Sequence, residues 1–474
     1  MGQHLALSAG DSDRDTIVRP PVRAAGVVAP QRSGRGRTLL IVLFSVLYPW
    51  HVAMWATSYT GTDPVIPHGG LNVSLGDSLI AIIGLILVLQ AVAGALRLPR
   101  YTLHAFVWLM VAAISTTANA LTPAVYFAMR DSEMGLVKII AAILWMVAVF
   151  WVLQDSFPRR FLQLAGFLVL VAAGFAIQSV FENIFLGRQR SFGPFQNANI
   201  YGNYVVLNLF LAIGIDRFLG AGAPGTHLRP ATRAVLRPLV RYGAVTVLLL
   251  GLLATGSRGA IVGLFAGLIP ALPWSELKRI SRRGLIAAVI GIVVLGPALG
   301  WYFSQNPFVV SRVTQTAEGH GPNVEERFEL WQGALRAFSQ NPVLGIGYTQ
   351  FPNYAEHEPD LRATLTHQTY LATAAELGIV GLLALMWLLV SVIKDSWRVQ
   401  DRAFVGVAHA CCGFVVAAST QGLFNNVQQE RSLWIVFGMI AGLIFYLRSR
   451  RVAPFTALTQ HSLGRGGRRL VTRY

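Results

Sequence analysis

Apolar runs of about 20 residues recur along the whole chain, and they constrain its fold more than any other feature of the sequence. Such a run crosses the hydrocarbon core of a bilayer as one α-helix. Because backbone polar groups find no water there, a chain with many such runs folds as a bundle of helices. The sequence predicts about twelve spans, at 38–56, 78–96, 103–121, 136–153, 161–185, 200–220, 241–255, 259–273, 284–303, 369–392, 403–423 and 433–447.

The composition agrees with a membrane protein and excludes other classes. Only 13% of the 474 residues are charged and 54% are hydrophobic, whereas soluble domains carry roughly 25% charged residues. A soluble enzyme and a disordered chain are therefore excluded. Cys411 and Cys412 are adjacent within an apolar run, so neither a disulfide framework nor a zinc site is predicted.

The basic residues predict the orientation of the helices, because Lys and Arg concentrate in cytoplasmic loops. If the N-terminal tail is cytoplasmic, the predicted cytoplasmic segments hold 29 of the 39 basic residues. Both termini are then cytoplasmic. The chain then divides into five segments: a cytoplasmic basic tail (1–37), nine spans (38–303), a loop on the outer face (304–366), three further spans (367–447) and a second cytoplasmic basic tail (448–474).

The outer loop at 304–366 is long enough to have a structure of its own. Phe328, Trp331 and Leu335 recur at helical spacing, and the pattern stops before Pro342. We predict an amphipathic helix in this loop. Its apolar face lies either on the outer surface of the membrane or on the protein's own helices, and the sequence leaves both open.

Nine basic residues lie on the predicted outer side, against the general charge bias, and three of these arginines are candidates for chemistry. Arg188 and Arg190 share a short loop, and Arg258 lies in the turn between the seventh and eighth spans. The planar guanidinium group donates paired hydrogen bonds that match phosphate oxygens, so these arginines are candidates to hold a pyrophosphate. The alternative is that each pairs with a nearby acid such as Glu182, or with lipid headgroups.

His367 stands where the long loop returns to the membrane. A neutral imidazole there accepts a proton near neutral pH, which makes it a candidate general base; the alternative is a capping or packing role. Glu376, nine residues later, lies on the opposite helix face, so a polar contact inside the bundle is predicted for it. No metal-binding spacing is present, and neither a metal nor a cofactor is predicted.

Three stretches resemble the bacterial O-antigen ligase and polymerase superfamily of polytopic membrane glycosyltransferases. They are GPFQNANIYGN, TGSRGA, and RFELWQGALRAFSQNPVLGIGYTQF followed by THQTYLATAAELGIVGLL. Together they cover roughly residues 185–392, in the family's order. Two positions depart from the family pattern: Gln368 stands where Asn is frequent, and Ala198 where Pro is frequent.

The resemblance implies an all-α, GT-C-like membrane fold in the bacterial inner membrane, with the active site facing the periplasm. It implies a glycosyltransferase that moves a glycan from an undecaprenyl-pyrophosphate carrier to a hydroxyl of lipid A–core, without metal or cofactor and with inversion. His367 is then the catalytic base, and Arg188, Arg190 and Arg258 bind the pyrophosphate. The expected supporting residues are Asn197, Asn199, Ser257, Gln368 and Tyr370.

Other functions remain open. A polymerase of the same superfamily extends another lipid-linked glycan, such as an exopolysaccharide, and a protein-glycosylating relative differs only in its acceptor. A transporter of the lipid-linked glycan, or another permease, would place its polar groups near the midplane of the bilayer. The net charge of +17 is spread between apolar runs, so nucleic acid is not predicted as a partner.

Overall fold

The computed structural model describes residues 34–47, 75–94, 96–195, 197–272 and 322–466, and every regular element within these ranges is helical. A π turn over Leu239–Ala244 joins α7 to α8, so that the two run as one helix over Pro230–Thr255. The helices of the described ranges are α1 (Gly34–Leu47), α2 (Leu75–Val92), α3 (Thr102–Leu121), α4 (Met129–Leu153), α5 (Phe157–Phe185), α6 (Ala198–Gly220), α7 (Pro230–Pro238), α8 (Val245–Thr255), α9 (Arg258–Ala271), α10 (Pro322–Gln340), α11 (Phe351–His357), α12 (Thr369–Trp397), α13 (Val405–Gln421) and α14 (Arg431–Gly466).

Seven helices of the described part of the chain are long and apolar enough to cross a membrane. They are α3, α4, α5, α6, the α7–α8 pair, α12 and the first part of α14, while α2, α9 and α13 contribute shorter apolar helices. The chain is therefore an all-helical polytopic membrane protein, as predicted. The predicted ninth span at 284–303 and the end of the first at 48–56 lie outside the described residues.

Several helices extend beyond the predicted spans. α12 continues to Trp397 and α14 to Gly466, while α7 begins at Pro230 in a stretch predicted as a loop. An apolar run marks only the part of a helix that crosses the hydrocarbon core. Arginine, lysine and alanine are good helix formers, and they continue the helix into the polar region beyond it.

Small residues allow α9 and α13 to approach each other closely. Gly263 and Gly267 on α9 face Ala417 and Gly413 on α13, and a Cβ atom built on Gly267 would lie 2.9 Å from the Cβ of Ala417. In a membrane, helices associate through such close packing rather than through the hydrophobic effect. The contact fixes α9, and with it the turn that precedes α9, against the rest of the bundle.

α12 is interrupted at Gly378, whose φ is +66° and ψ is −168°. Segment 342–350 occupies the interruption, and the backbone N–H of Ile379 donates a 2.8 Å hydrogen bond to the carbonyl of Pro342. Glycine is suited to this position because side chains are strained at positive φ. The span predicted at 369–392 is therefore present within α12, and its helix is kinked at Gly378.

α10 packs on the protein's own helices. Leu330, Ala334 and Ala337 are at most 1% exposed and form a second core with α11 and α12. By contrast, Phe328 and Leu335 of the predicted apolar face are more than half exposed. Of the two predicted placements, the structure thus shows the one on the protein's own helices. The face that packs there differs from the predicted aromatic face, because small alanines allow closer packing than aromatic residues do.

We expect Gly267→Ala to destabilise the protein and Gly166→Ala to leave it unchanged or slightly more stable. The new Cβ meets α13 at Gly267, whereas a Cβ at Gly166 has no neighbour within 4 Å. Overpacking of this kind costs about 1–3 kcal/mol, while alanine is the better helix former at an open position. The thermal unfolding midpoints of the two variants in neutral detergent measure the difference. Equal midpoints would contradict the close α9–α13 contact.

Candidate active site

Asn197 caps the N-terminus of α6. Its side-chain oxygen accepts hydrogen bonds from the backbone N–H groups of Asn199 at 2.8 Å and Ile200 at 3.4 Å. An asparagine in this position satisfies backbone donors that have no partner within the helix. Asn197 therefore holds the start of the helix, and it leaves the side chain of Asn199 available for other contacts.

The turn between α8 and α9 is tight and depends on one glycine. Gly256 ends α8 in the left-handed conformation, with φ of +61°. The hydroxyl of Thr255 accepts a 3.0 Å hydrogen bond from the backbone N–H of Ser257, which begins α9 as its N-cap. Gly256 also lies under the side chain of Arg190, whose Cγ and Nε would be 3.6 Å from a Cβ atom there.

Arg190, Asn199 and Ser257 form one hydrogen-bonded group, which we name the arginine cluster. The guanidinium of Arg190 donates to the carbonyl of Thr255 at 3.1 Å and to the Asn199 side-chain oxygen at 3.3 Å. The hydroxyl of Ser257 donates to the same oxygen at 3.0 Å. The loop before α6 and the turn before α9 therefore meet at Asn199.

Arg188 and Arg258 occupy different positions around this cluster. Arg188 forms a 3.1 Å ion pair with Glu182 at the end of α5, and its side chain is 56% exposed. Arg258 is half-buried and is the first residue of α9. A solvent-open hollow of about 420 Å³ is lined by Arg188, Gln189, Arg190 and Phe192. Arg190 thus belongs to both the cluster and the hollow. Arg188 also lines the hollow, but it forms the ion pair with Glu182 that the sequence offered as the alternative to pyrophosphate binding.

His367 lies in a strained and partly enclosed position. Its φ is +51°, which residues other than glycine rarely adopt. Thr366 before it is held by Trp331, whose indole N–H donates to the Thr366 carbonyl at 3.2 Å. Burial and the charge of Arg327 lower the pKa of His367 below its ordinary value of 6.5, although the charge of Glu326 acts in the opposite direction. The imidazole is therefore held in its neutral form near neutral pH.

A chain of hydrogen bonds joins the segment of His367 to the arginine cluster. The side chain of Gln421 donates to the carbonyl of Asn199 at 3.0 Å. The carbonyl of the next residue, Gly422, accepts from the backbone N–H of Thr369 at 2.7 Å. Thr369 is two residues beyond His367. The histidine and the arginine cluster consequently lie at the same end of the bundle.

Gln368 and Tyr370, two of the expected supporting residues, have structural contacts. Gln368 is the N-cap of α12, and its side-chain oxygen accepts from the backbone N–H of Leu371. The hydroxyl of Tyr370 donates to the carbonyl of Ser419 on α13 at 2.6 Å. Both side chains therefore fix the start of α12, and so the position of His367.

The sequence reasoning missed the polar segment between α13 and α14. Besides Gln421, this segment contains Glu430, which is half-buried and accepts a hydrogen bond from Asn203. Asn203 lies one helical turn along α6 from Asn199. Burial raises the pKa of Glu430 to about 8, although its hydrogen bonds to Asn203 and Ser432 oppose this. The available signal was the run of amides and one acid, QGLFNNVQQE, within an otherwise apolar part of the chain.

Glu376 lies apart from His367, as predicted, and takes part in packing. It is 4% exposed, and its carboxylate accepts from the backbone N–H of Phe351 at 3.4 Å. Its backbone carbonyl accepts from the hydroxyl of Ser115 at 3.0 Å. Across the described ranges, no group of three or more His, Cys, Asp or Glu residues is arranged to hold a metal ion.

The two charges near His367 predict opposite changes in its titration. Arg327→Gln removes a positive neighbour and should raise the pKa of His367, while Glu326→Gln removes a negative one and should lower it. Arg336→Gln is the matched control, because Arg336 lies on the same helix but pairs with Asp360 at 2.9 Å. NMR titration of ¹³C-labelled histidine measures the pKa of His367 in each of the three variants, and the His367→Ala variant assigns its signal. Shifts of the same sign in the first two variants would refute this description of the site.

Two comparisons with known proteins identify similar sequences. Residues 243–386 match a family model described as O-antigen ligase. That segment includes Ser257, Arg258 and His367, while the loop of Arg188 and Arg190 precedes it. The curated O-antigen ligase of Pseudomonas aeruginosa (strain PAO1) is 28% identical over 254 residues, which are 53% of this chain and 48%, or about half, of that relative. The chain is therefore similar to O-antigen ligases, over residues 243–386 for the family model and over about half of its length for the curated relative.

Proposed function

We propose that this protein is an O-antigen ligase-type glycosyltransferase, which moves a glycan from an undecaprenyl-pyrophosphate carrier to a hydroxyl of lipid A–core. The observation that carries the proposal is the joining of Arg190 and His367 at one end of the bundle, through Asn199, Gln421 and Thr369. A cation that binds phosphate and a neutral base are the two groups that this reaction needs from a protein.

The arginine cluster handles the leaving group in this proposal. As the bond between the anomeric carbon and the phosphate oxygen breaks, the pyrophosphate departs with the electron pair and gains negative charge. Arg190 is already held by the carbonyl of Thr255 and the oxygen of Asn199, so it stabilises that charge without reorganisation. Arg258, at the start of α9, is the second ligand, and Arg188 lies at the edge of the hollow beside Glu182.

His367 activates the acceptor. The attacking hydroxyl forms a bond to the anomeric carbon, and its proton moves to the imidazole nitrogen. A base must be unprotonated at the working pH, and the lowered pKa of His367 keeps it so near neutrality. A single displacement of this kind inverts the anomeric centre. The activated carrier supplies the driving force, so neither a cofactor nor a metal is required in this mechanism.

The charge distribution supports a periplasmic site in the bacterial inner membrane. The predicted cytoplasmic segments hold 29 of the 39 basic residues, which favours cytoplasmic termini. The arginine cluster lies at the N-terminal end of α6, which this orientation places at the outer face. The lipid carrier then enters from the membrane, and α10 and α11 cover the bundle on the side from which lipid A–core approaches.

A strain that lacks the gene tests the proposal. We expect long glycan polymer to remain on the polyprenyl carrier, with bare core at the cell surface, as measured by gel electrophoresis and mass spectrometry of the carrier pool. Single repeats on the carrier would instead indicate a polymerase. An unchanged carrier pool and an unchanged surface would contradict both, and would favour a transporter or permease.

Complementation then tests the catalytic base. His367→Ala should fail to restore the surface glycan at an unchanged amount of protein, because loss of a general base costs about 10²–10⁴-fold in rate. His357→Ala is the matched control, since His357 is an exposed histidine of the same loop region that bonds to the carbonyl of Asn353. It should restore the glycan fully. Restoration by His367→Ala would rule out the proposed mechanism.

A further inference from the structure

A row of arginines lies at the end of the bundle opposite the arginine cluster. Arg229, Arg233, Arg237 and Arg241 stand at every fourth position of α7 and of the residues that flank it, and we name them the arginine ladder. Positions four apart share one face of a helix. Asp216 on α6 contacts this row, about 25 Å along α6 from Asn199 by the rise of a helix. The ladder is therefore separate from the proposed catalytic site.

The ladder keeps an excess of positive charge. Arg237 and Arg241 share a single carboxylate, that of Asp216, at 3.1 Å and 2.8 Å. Arg233 donates to a backbone carbonyl, that of Gly222, which does not neutralise it. Arg229 is exposed at the start of α7. Guanidinium groups in this arrangement retain donors and charge for an anion.

The opposite side of the same helical stretch is apolar and exposed. Val235, Leu239 and Tyr242 are 70%, 62% and 66% exposed, and they stand at the spacing of one helix face. α7 continues through the π turn into α8, and the whole stretch over Pro230–Thr255 is long and apolar enough to cross a membrane. Arginines near the end of such a helix reach the headgroup region, while its apolar side chains remain in contact with the acyl chains.

We propose that the arginine ladder binds the phosphate of an anionic phospholipid in the leaflet at this end of the bundle. The planar guanidinium matches phosphate oxygens, and the apolar side of the same helical stretch faces lipid, which places the ladder at the depth of the headgroups. A zwitterionic lipid carries its own ammonium group, which offsets the phosphate charge. Inorganic phosphate has no acyl chains, so the membrane does not concentrate it beside the ladder. The proposal does not depend on the proposed transfer reaction.

The test uses the full chain in neutral detergent, titrated with phosphatidylglycerol, phosphatidylcholine or inorganic phosphate. Native mass spectrometry counts bound lipid, and the thermal unfolding midpoint reports stabilisation. We expect phosphatidylglycerol to bind and to raise the midpoint, with a weaker effect in high salt. The double variant Arg229→Gln with Arg233→Gln should bind about 30-fold more weakly at low salt.

Matched variants decide between a specific site and a general effect of charge. Lys394→Gln with Arg398→Gln removes two exposed positive charges at the end of α12 and should leave the affinity unchanged. Arg229→Gln alone changes an exposed side chain, so it preserves the fold and should weaken binding about fivefold. Equal loss in the α12 variant, equal binding of phosphatidylcholine, or saturation by inorganic phosphate alone would each overturn the proposal.

Discussion

The side-chain oxygen of Asn199 accepts hydrogen bonds from both Arg190 and Ser257, and so it joins the loop before α6 to the turn before α9. The side chain of Arg190 also lies over Gly256, whose left-handed conformation favours glycine. A cation held in this way stabilises a departing phosphate without rearrangement during the reaction. The close packing of α9 against α13 around Gly267 maintains the turn in its place.

Much of the fold could be predicted because the membrane dictates it. Runs as apolar as α4 and α5 can only be spans, and their limits follow from the thickness of the bilayer. The break at Gly378 could not be predicted, since it depends on a contact with segment 342–350 that is distant in sequence. The orientation of α10 was also missed, because Ala334 and Ala337 give a weak apolar signal although they form its closest contacts.

The candidate site was predictable as a set of residues but not as an arrangement. Arg190, Asn199 and Ser257 carry suitable chemistry, yet 58 residues separate the last two, and no local spacing indicates that they touch. Arg188 has the same charge and lies in the same loop as Arg190, so only its ion pair with Glu182 distinguishes the two. Gln421 was missed although it begins the run QGLFNNVQQE, because a run of amides does not indicate which of its members contacts a distant residue.

The most direct test of this account compares Arg190→Lys with Arg188→Lys in a transfer assay with purified protein and a polyprenyl-pyrophosphate-linked glycan. Lysine keeps the charge but loses the planar pair of donors. We predict that kcat falls about 10²-fold for Arg190→Lys, and that Arg188→Lys stays within about fivefold of the unmodified protein, as for other exposed ion pairs. Equal rates for the two variants, or a full rate for Arg190→Lys, would contradict the central role of the arginine cluster.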